Sequence, residues 1–406
     1  MTIDRIEAKY RVLTPMFCGG ARPVEAELRL ATFKGVLRWW WRALAWSRYK
    51  PDLAKIKSAE DTLFGSTETG QSRVVMRLLA PSELKTLKPR EVLRCNSGAN
   101  APVAGEGARY LGYGVMEAFA RKVKGQGPAV QAGELTRGCV VAPFDFTIEL
   151  RCRDLDDLPS AVLLDALRAL GLLGGMGAKS RKGYGSLVLK ELVRNGSSCR
   201  PPPKDLSGLA DAIKQLYPNP AADGLPPYTA LSKSSRHVLL TARDGAEPLA
   251  LLDHVGREIV RYRSWGHNGK VLGEDSEKNF KDDHDLMKLP AGQRFAHPRR
   301  IVFGLPHNYG KAGDQQVKPA GGLDRRASPL LIHIHECGTS PVAVISFLPA
   351  EFLPGGADAK IDVGGAPIKL AGYEQLRQPI VTLLDRFLGS SQRKEPFGEA
   401  QDVRPP

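Results

Sequence analysis

Residues 159–193 read PSAVLLDALRALGLLGGMGAKSRKGYGSLVLKELV, and the fold turns on how this stretch divides. Pro159-Ser160 opens a run of apolar residues at helical spacing, and Gly174-Gly175 closes it. "YGSLVLKELV" (184–193) then has the apolar content and alternation of a strand. The order helix, glycine-rich loop, strand excludes a nucleotide loop, which follows a strand and opens a helix. Ala178 also stands where such a loop needs glycine.

On the N-terminal side, "IEAKYRV" puts Ile6, Ala8, Tyr10 and Val12 on one face and Glu7, Lys9 and Arg11 on the other, as a half-buried strand requires. A helical pattern begins after Leu30, and "SRVVMRLLA" (72–80) and "CVVAPFDFTIEL" (139–150) read as strands. Strand, helix, strand, strand, helix, strand predicts an α+β fold: a ferredoxin-like (RRM-like) antiparallel sheet backed by helices over residues 1–194. Residues 81–138, rich in Gly, Pro and charge, are predicted to be an insertion on its surface.

A Pro- and Gly-rich linker is predicted over 195–228, with one short helix near Leu206–Leu216. Residues 229–390 repeat the pattern in a more decorated, diverged form. They contain the strand "RHVLLTA", the helix "PLALLDHVGREIVRYR", a strand at "RRIVFGL", the pair "SPLLIHIHE" and "PVAVISFL", and the helix "YEQLRQPIVTLLDRFL". Residues 391–406 are polar and aperiodic, and are predicted to be a mobile tail.

The 58 Lys+Arg outnumber 44 Asp+Glu, leaving a formal charge of +14 that favours polyanionic partners, nucleic acid first. Six scattered cysteines without a Cys-x-x-Cys pair point away from a zinc ribbon or disulfide framework and toward a reduced, cytoplasmic setting. No segment approaches the roughly 20 apolar residues of a membrane span, so no membrane partner is expected.

On a helical wheel of "TFKGVLRWWWRALAWSR" (32–48), Phe33, Val36, Leu37, Trp40 and Leu44 share a core face. Lys34, Arg38, Trp41 and Arg42 fall on an adjoining cationic stripe, and Trp39 lies on the remaining flank. Trp40 is therefore predicted to be buried. Trp39 and Trp41 are predicted to face either an unstacked base or a neighbouring subunit. In the glycine-rich loop, Lys179, Ser180, Arg181, Lys182, Gly183 and Tyr184 combine three cations with close backbone approach, which suits a phosphate backbone.

Arg263 and Trp265 in "RYRSWGHNGK", Arg299 and Arg300 in "HPRRIVFGLPHNYG", and Arg325 and Arg326 in "DRRASPL" add basic loop positions of the same type. His333 and His335 share a strand face without a spaced third ligand. Asp283-His284-Asp285 are sequence neighbours, which rarely co-ligate, so neither a metal nor a cofactor is expected. No nucleophile elbow, catalytic carboxylate pair or zinc-protease motif is present.

"TPMFCGGARP" (14–23), "ELRLATFKGVLRWWWRAL" (27–44) and "GGMGAKSRKGYGSL" (174–187) together resemble the RAMP superfamily of CRISPR–Cas proteins. Within it, the Lys-Gly-x-x-Arg-Trp-Trp-x-Arg helix is similar to the family of first Cmr subunits of type III-B effector complexes. "FGLPHNYG" and "RRASPL" extend the likeness into the second half.

The resemblance implies two RAMP domains at the end of a filament of other RAMP (Cmr) subunits assembled on CRISPR RNA. It implies binding of the 3′ region of that RNA and help in capturing complementary target RNA, without a slicing role. Lys34, Arg38, Trp39, Arg42 and the loop Lys179–Tyr184 would then face RNA. Two alternatives remain at this level. One is a metal-independent endoribonuclease that processes repeat RNA with His284 or His267 as general base; the other is a protein–protein adaptor.

Overall fold

The computed structural model describes residues 3–22, 24–81, 83–95, 101–120, 129–199, 201–243, 246–266, 268–309, 315–389 and 391–406. Alternation makes Ile3–Val12 the strand β1, with Ile6, Ala8, Tyr10 and Val12 fully buried. Helix α1 (Leu30–Arg48) follows, then α2 (Leu53–Phe64), β2 (Val74–Leu79) and a short α3 (Glu106–Leu111). Strand β3 (Phe144–Arg153), α4 (Asp157–Leu173) and β4 (Leu187–Arg194) complete the first half.

The sheet order is β2-β3-β1-β4, every pair antiparallel, with Ser197–Ser198 added beyond β4. This is the arrangement expected of two interleaved strand–helix–strand units. Helices α1 and α4 cover one face, and Tyr10 on β1 donates its hydroxyl to the carbonyl of Leu167 on α4, 2.8 Å away.

Helix α5 (Leu206–Lys214) leads to β5 (Arg236–Thr241), α6 (Pro248–Arg263), α7 (Lys281–Lys288), β6 (Leu330–Cys337), β7 (Ser340–Phe347), α8 (Tyr373–Phe387) and β8 (Ala400–Val403). The second sheet runs β6-β7-β5-β8, again antiparallel, so the connectivity of the first half recurs. A small sheet of His307–Asn308, Gln316–Pro319, Lys360–Val363 and Ala366–Lys369 sits beside it on its own apolar cluster, which includes Met287, Ile301 and Phe352.

Several expectations change. The tail predicted to be mobile supplies the last strand of the second sheet: β8 pairs with β5, and Asp402 holds Arg236 through two hydrogen bonds of 2.9 and 3.1 Å. "RRIVFGL" is a 3₁₀ turn over Arg299–Phe303 rather than a strand. Within the linker, α5 buries Leu209, Ala210 and Ile213 in the first apolar cluster, so this segment is part of the packed core.

The insertion does not merely lie on the surface of the first half. Its helix α3 docks on α6 of the second, where the Ala108 amide donates to Asp253 Oδ1 at 3.0 Å. The docking depends on Gly107 facing Gly256, because a Cβ on Gly107 would overlap the backbone of Asp253 and Arg257. Gly107→Ala is therefore expected to cost about 1–3 kcal/mol through overpacking. A urea titration of the full chain checks this, and an unchanged midpoint would mean that α3 does not bear on α6.

The two halves also share their cores. Leu331, Val342, Val344 and Val403 of the second sheet join the cluster under the first, while Leu13, Phe17 and Tyr184 join the cluster around α6 and α8. Strand β6 accordingly buries both faces. Leu330, Ile332 and Ile334 belong to the α6 side; on the other side His333 bonds the carbonyl of Gly174, 2.7 Å away.

Candidate nucleic-acid interface

The glycine-rich loop between α4 and β4 lies where the halves meet. Arg181 O accepts from the Ile332 amide and Ser186 Oγ from the Ile334 amide, both at 3.0 Å. From the other side Thr14 Oγ1 donates to Gly183 O (2.7 Å), Gly185 N to Pro15 O (3.0 Å) and Ala178 N to Phe17 O (2.8 Å). Two sequence motifs some 160 residues apart, "TPMF" and the loop, thus form one hydrogen-bonded unit.

Two predicted contact residues serve this junction. Gly183 has φ +85, and a Cβ there would collide with Leu252 of α6. Tyr184 is wholly buried, its hydroxyl donating to Ala108 O at 2.7 Å and its ring edge-on to Phe17. Both anchor the loop instead of facing RNA. Lys179, Ser180, Arg181 and Lys182 retain accessible surface.

The cationic stripe of α1 is also changed by its neighbours. Helix α2 lies alongside it, and its buried Glu60 and Asp61 pair with Arg38, Glu60 reaching Arg42 as well at 3.4 Å. Lys34 Nζ donates to Phe64 O at the end of α2 (3.1 Å). Trp41, expected on the wet face, has no exposed surface, because Phe64 of α2 and Tyr49 close over it. Trp39 stays half-buried at the edge.

Different surroundings meet Lys179, Arg181, Lys182, Arg263, Arg325 and Arg326. Among the described residues, none of them has a carboxylate within 4.0 Å. Burial, then the charges of Arg137 and Arg325, push the Lys179 ammonium below its usual range. Lys182 is pushed down to about 7, first by burial and then by Arg263, Lys179 and Arg181. Arg326 falls to about 10 through burial and the charge of Arg181. The mutual repulsion places these groups in one electrostatic field, although they come from separate parts of the sequence.

Arg181 lies over the ring of Trp39 at 5.0 Å, which ties the free flank of α1 to this field. Arg326 is held in place by carbonyls, donating to Phe352 O at 2.6 Å and Ala327 O at 2.7 Å. Arg137, which no motif marked, joins through its effect on Lys179.

Arg299 and Arg300 divide their roles. Their backbone amides donate to Asp283 at 2.7 and 2.9 Å, so this buried carboxylate caps the 3₁₀ turn. Arg299 is exposed and reaches Asn279 O, whereas Arg300 donates to Arg263 O at 3.0 Å. Asp285 turns to Lys281 and Lys288, and no group of three potential metal ligands occurs among the described residues. His284 is pushed down to about 4, chiefly by burial and next by the charge of Arg300, which leaves it a poor general base. His267 lies outside the described residues.

No helix among the described residues is long and apolar enough to cross a membrane, and all six cysteines are free. Residues 9–188 match the family model of the RAMP superfamily. The CRISPR system Cmr subunit Cmr1-1 of Pyrococcus furiosus is 25% identical over 349 residues, covering 81% of this chain and 82% of that protein. Subunit Cmr1-2 of the same organism is 37% identical over 82 residues, 20% of this chain and 41% of that protein. The crystal structure of apo Cmr1 from Pyrococcus furiosus covers 100% of this chain and 99% of its own, with a TM-score of 0.56 at 18% identity, which shows a common fold. Residues 9–188 thus carry the RAMP superfamily's pattern, and the chain is similar to Cmr1 in sequence and shares its fold.

Proposed function

We propose that the chain is the Cmr1-type subunit of a type III-B CRISPR effector complex and grips RNA through its unneutralised cation field. The contrast between the two basic surfaces carries this proposal. The α1 arginines have carboxylate partners inside the protein, whereas Lys179, Arg181, Lys182, Arg263, Arg325 and Arg326 have none among the described residues. Like charges gathered without counter-charge destabilise the free protein, and a phosphate backbone relieves that repulsion.

CRISPR RNA, through its 3′ region, and complementary target RNA are the ligands of this reading. Other Cmr subunits are its neighbours, the cytoplasm its setting, and RNA binding without cleavage its role. The sequence likeness to Cmr subunits over most of the chain supports it.

The test uses the full chain and a fluorescein-labelled single-stranded RNA of about 30 nucleotides. Lys179→Gln, Lys182→Gln and Arg325→Gln together should weaken binding by roughly two orders of magnitude at 0.15 M salt. The slope of log K against log salt should shrink by about 2, near 0.7 for each lost phosphate contact. The melting temperature should hold or rise as repulsion falls. Unchanged affinity and slope would remove the cation field from RNA binding.

A further inference from the structure

Trp265, two residues beyond α6, belongs to none of the three apolar clusters. Its indole instead stacks on His284 of α7, with centroids 4.4 Å apart and planes inclined by 30°. His284 meets Tyr309 edge-on at 5.4 Å. Guanidinium groups flank this row of rings: Arg300 lies 4.8 Å over Tyr309, and the charge of Arg263 also bears on Tyr309.

The row also gathers unmet polar atoms. His284 Nε2, Tyr309 Oη and Arg263 Nε are buried without a hydrogen-bond partner, whereas Arg300 Nε lies 3.9 Å from Asp283 Oδ2. Such atoms weaken a fold unless something completes them, and three gathered in this row and on its flank mark a place prepared for a polar guest. His284 stays neutral there, so the row adds no charge of its own. The charge of Arg263 acts both on Tyr309 of this row and on Lys182, so the two features are continuous.

We infer that the Trp265–His284–Tyr309 row is a stacking platform for one unstacked base of single-stranded RNA, with the adjoining phosphate toward Arg263 and Lys182. The inference rests on the RNA-binding reading above and adds a preference to it. A base within a duplex must first unpair and unstack to reach Trp265, a cost that a single strand does not bear, so the platform favours single strands.

Full-length protein is titrated with a labelled 20-nucleotide oligoadenylate, alone and annealed to its complement. Trp265→Leu keeps bulk and loses the π face. It should weaken single-strand binding about 5- to 100-fold while leaving duplex binding and the salt slope unchanged. Trp265→Phe should retain most of the affinity. Oligoadenylate should also quench the indole fluorescence of the native chain more than that of Trp265→Phe, a readout that does not depend on the leucine variant folding.

If Trp265→Leu binds like the native chain while the Lys179/Lys182/Arg325 triple variant binds weakly, the platform is wrong and the cation field stands. A salt slope lowered by Trp265→Leu would mean that the ring only positions cations, and would also overturn the platform. No RNA binding by the native chain removes both.

Discussion

Trp41→Ala is expected to destabilise the protein by about 3–5 kcal/mol, the range for emptying a fully buried large aromatic site. That is a large share of the roughly 5–15 kcal/mol by which a domain is stable. Trp41 has no exposed surface and sits at 5.9 Å from the ring of Tyr49 and 6.3 Å from that of Phe64, so its removal opens a cavity between α1 and α2. Trp40→Ala belongs in the same class, since Trp40 is 2% exposed in the first apolar cluster.

Trp39→Ala should leave stability within about 1 kcal/mol, because Trp39 stays partly accessible and its stacking partner Arg181 has a second hold on Ser328 O at 3.4 Å. Trp41→Phe should recover most of the loss, because Trp41 Nε1 makes no hydrogen bond that phenylalanine would forfeit. Chemical denaturation of the four variants checks the ranking. Equal losses for Trp39→Ala and Trp41→Ala would contradict the burial of Trp41 alone.

The wheel placed Trp40 correctly and Trp41 wrongly for one reason. A wheel reports which residues share a helix face, but says nothing about what covers that face. The cover is α2, whose sequence LAKIKSAEDTLF is too charged to stand out by apolar periodicity. Its start signal was nevertheless legible, for Asp52 caps the helix by accepting from the Lys55 amide at 3.1 Å. Had α2 been recognised, Glu60 and Asp61 would have offered partners for Arg38 and Arg42.

The alternating strands and long amphipathic helices of both sheets were legible because each carries its own periodicity. Strand β8 was not: only Val403 of Ala400–Val403 is buried, and its place is fixed by pairing with β5 rather than by pattern. The glycine-rich loop was found as a site, but its second task was hidden. Gly183 and Tyr184 hold together segments whose contact depends on the tertiary fold. What unites Lys179 with Arg325, or Lys182 with Arg263, is likewise proximity without counter-charge, a property of the folded chain.

Acid should begin to destabilise this protein near pH 6.5, before its carboxylates titrate. His237 is fully buried between Tyr217 Oη (2.7 Å) and Ser346 Oγ (2.8 Å), and burial pushes it down to about 3 against a weaker upward pull from Asp402. The buried pair His333 and His335 is pushed down as well, again mainly by burial. Their folded-state values lie below the unfolded value near 6.5, so between about 6.5 and 3 the unfolded chain holds more protons. Stability is therefore complete above 6.5 and lost as pH falls through that window, by about 1.4 kcal/mol per pH unit for each such group. His237 and one proton of the coupled pair remove roughly 5 kcal/mol by pH 4.5, comparable with the whole stability of many domains. Asp283 works the other way, since burial raises it and its protonation offsets part of the loss at the acid end. Urea titrations at half-unit steps from pH 7.5 to 4.5 should show the unfolding free energy falling with a slope above one proton between pH 6 and 5. His335→Leu should flatten that slope by up to one proton, and a level profile down to pH 5 would show that these imidazoles are not held neutral in the core.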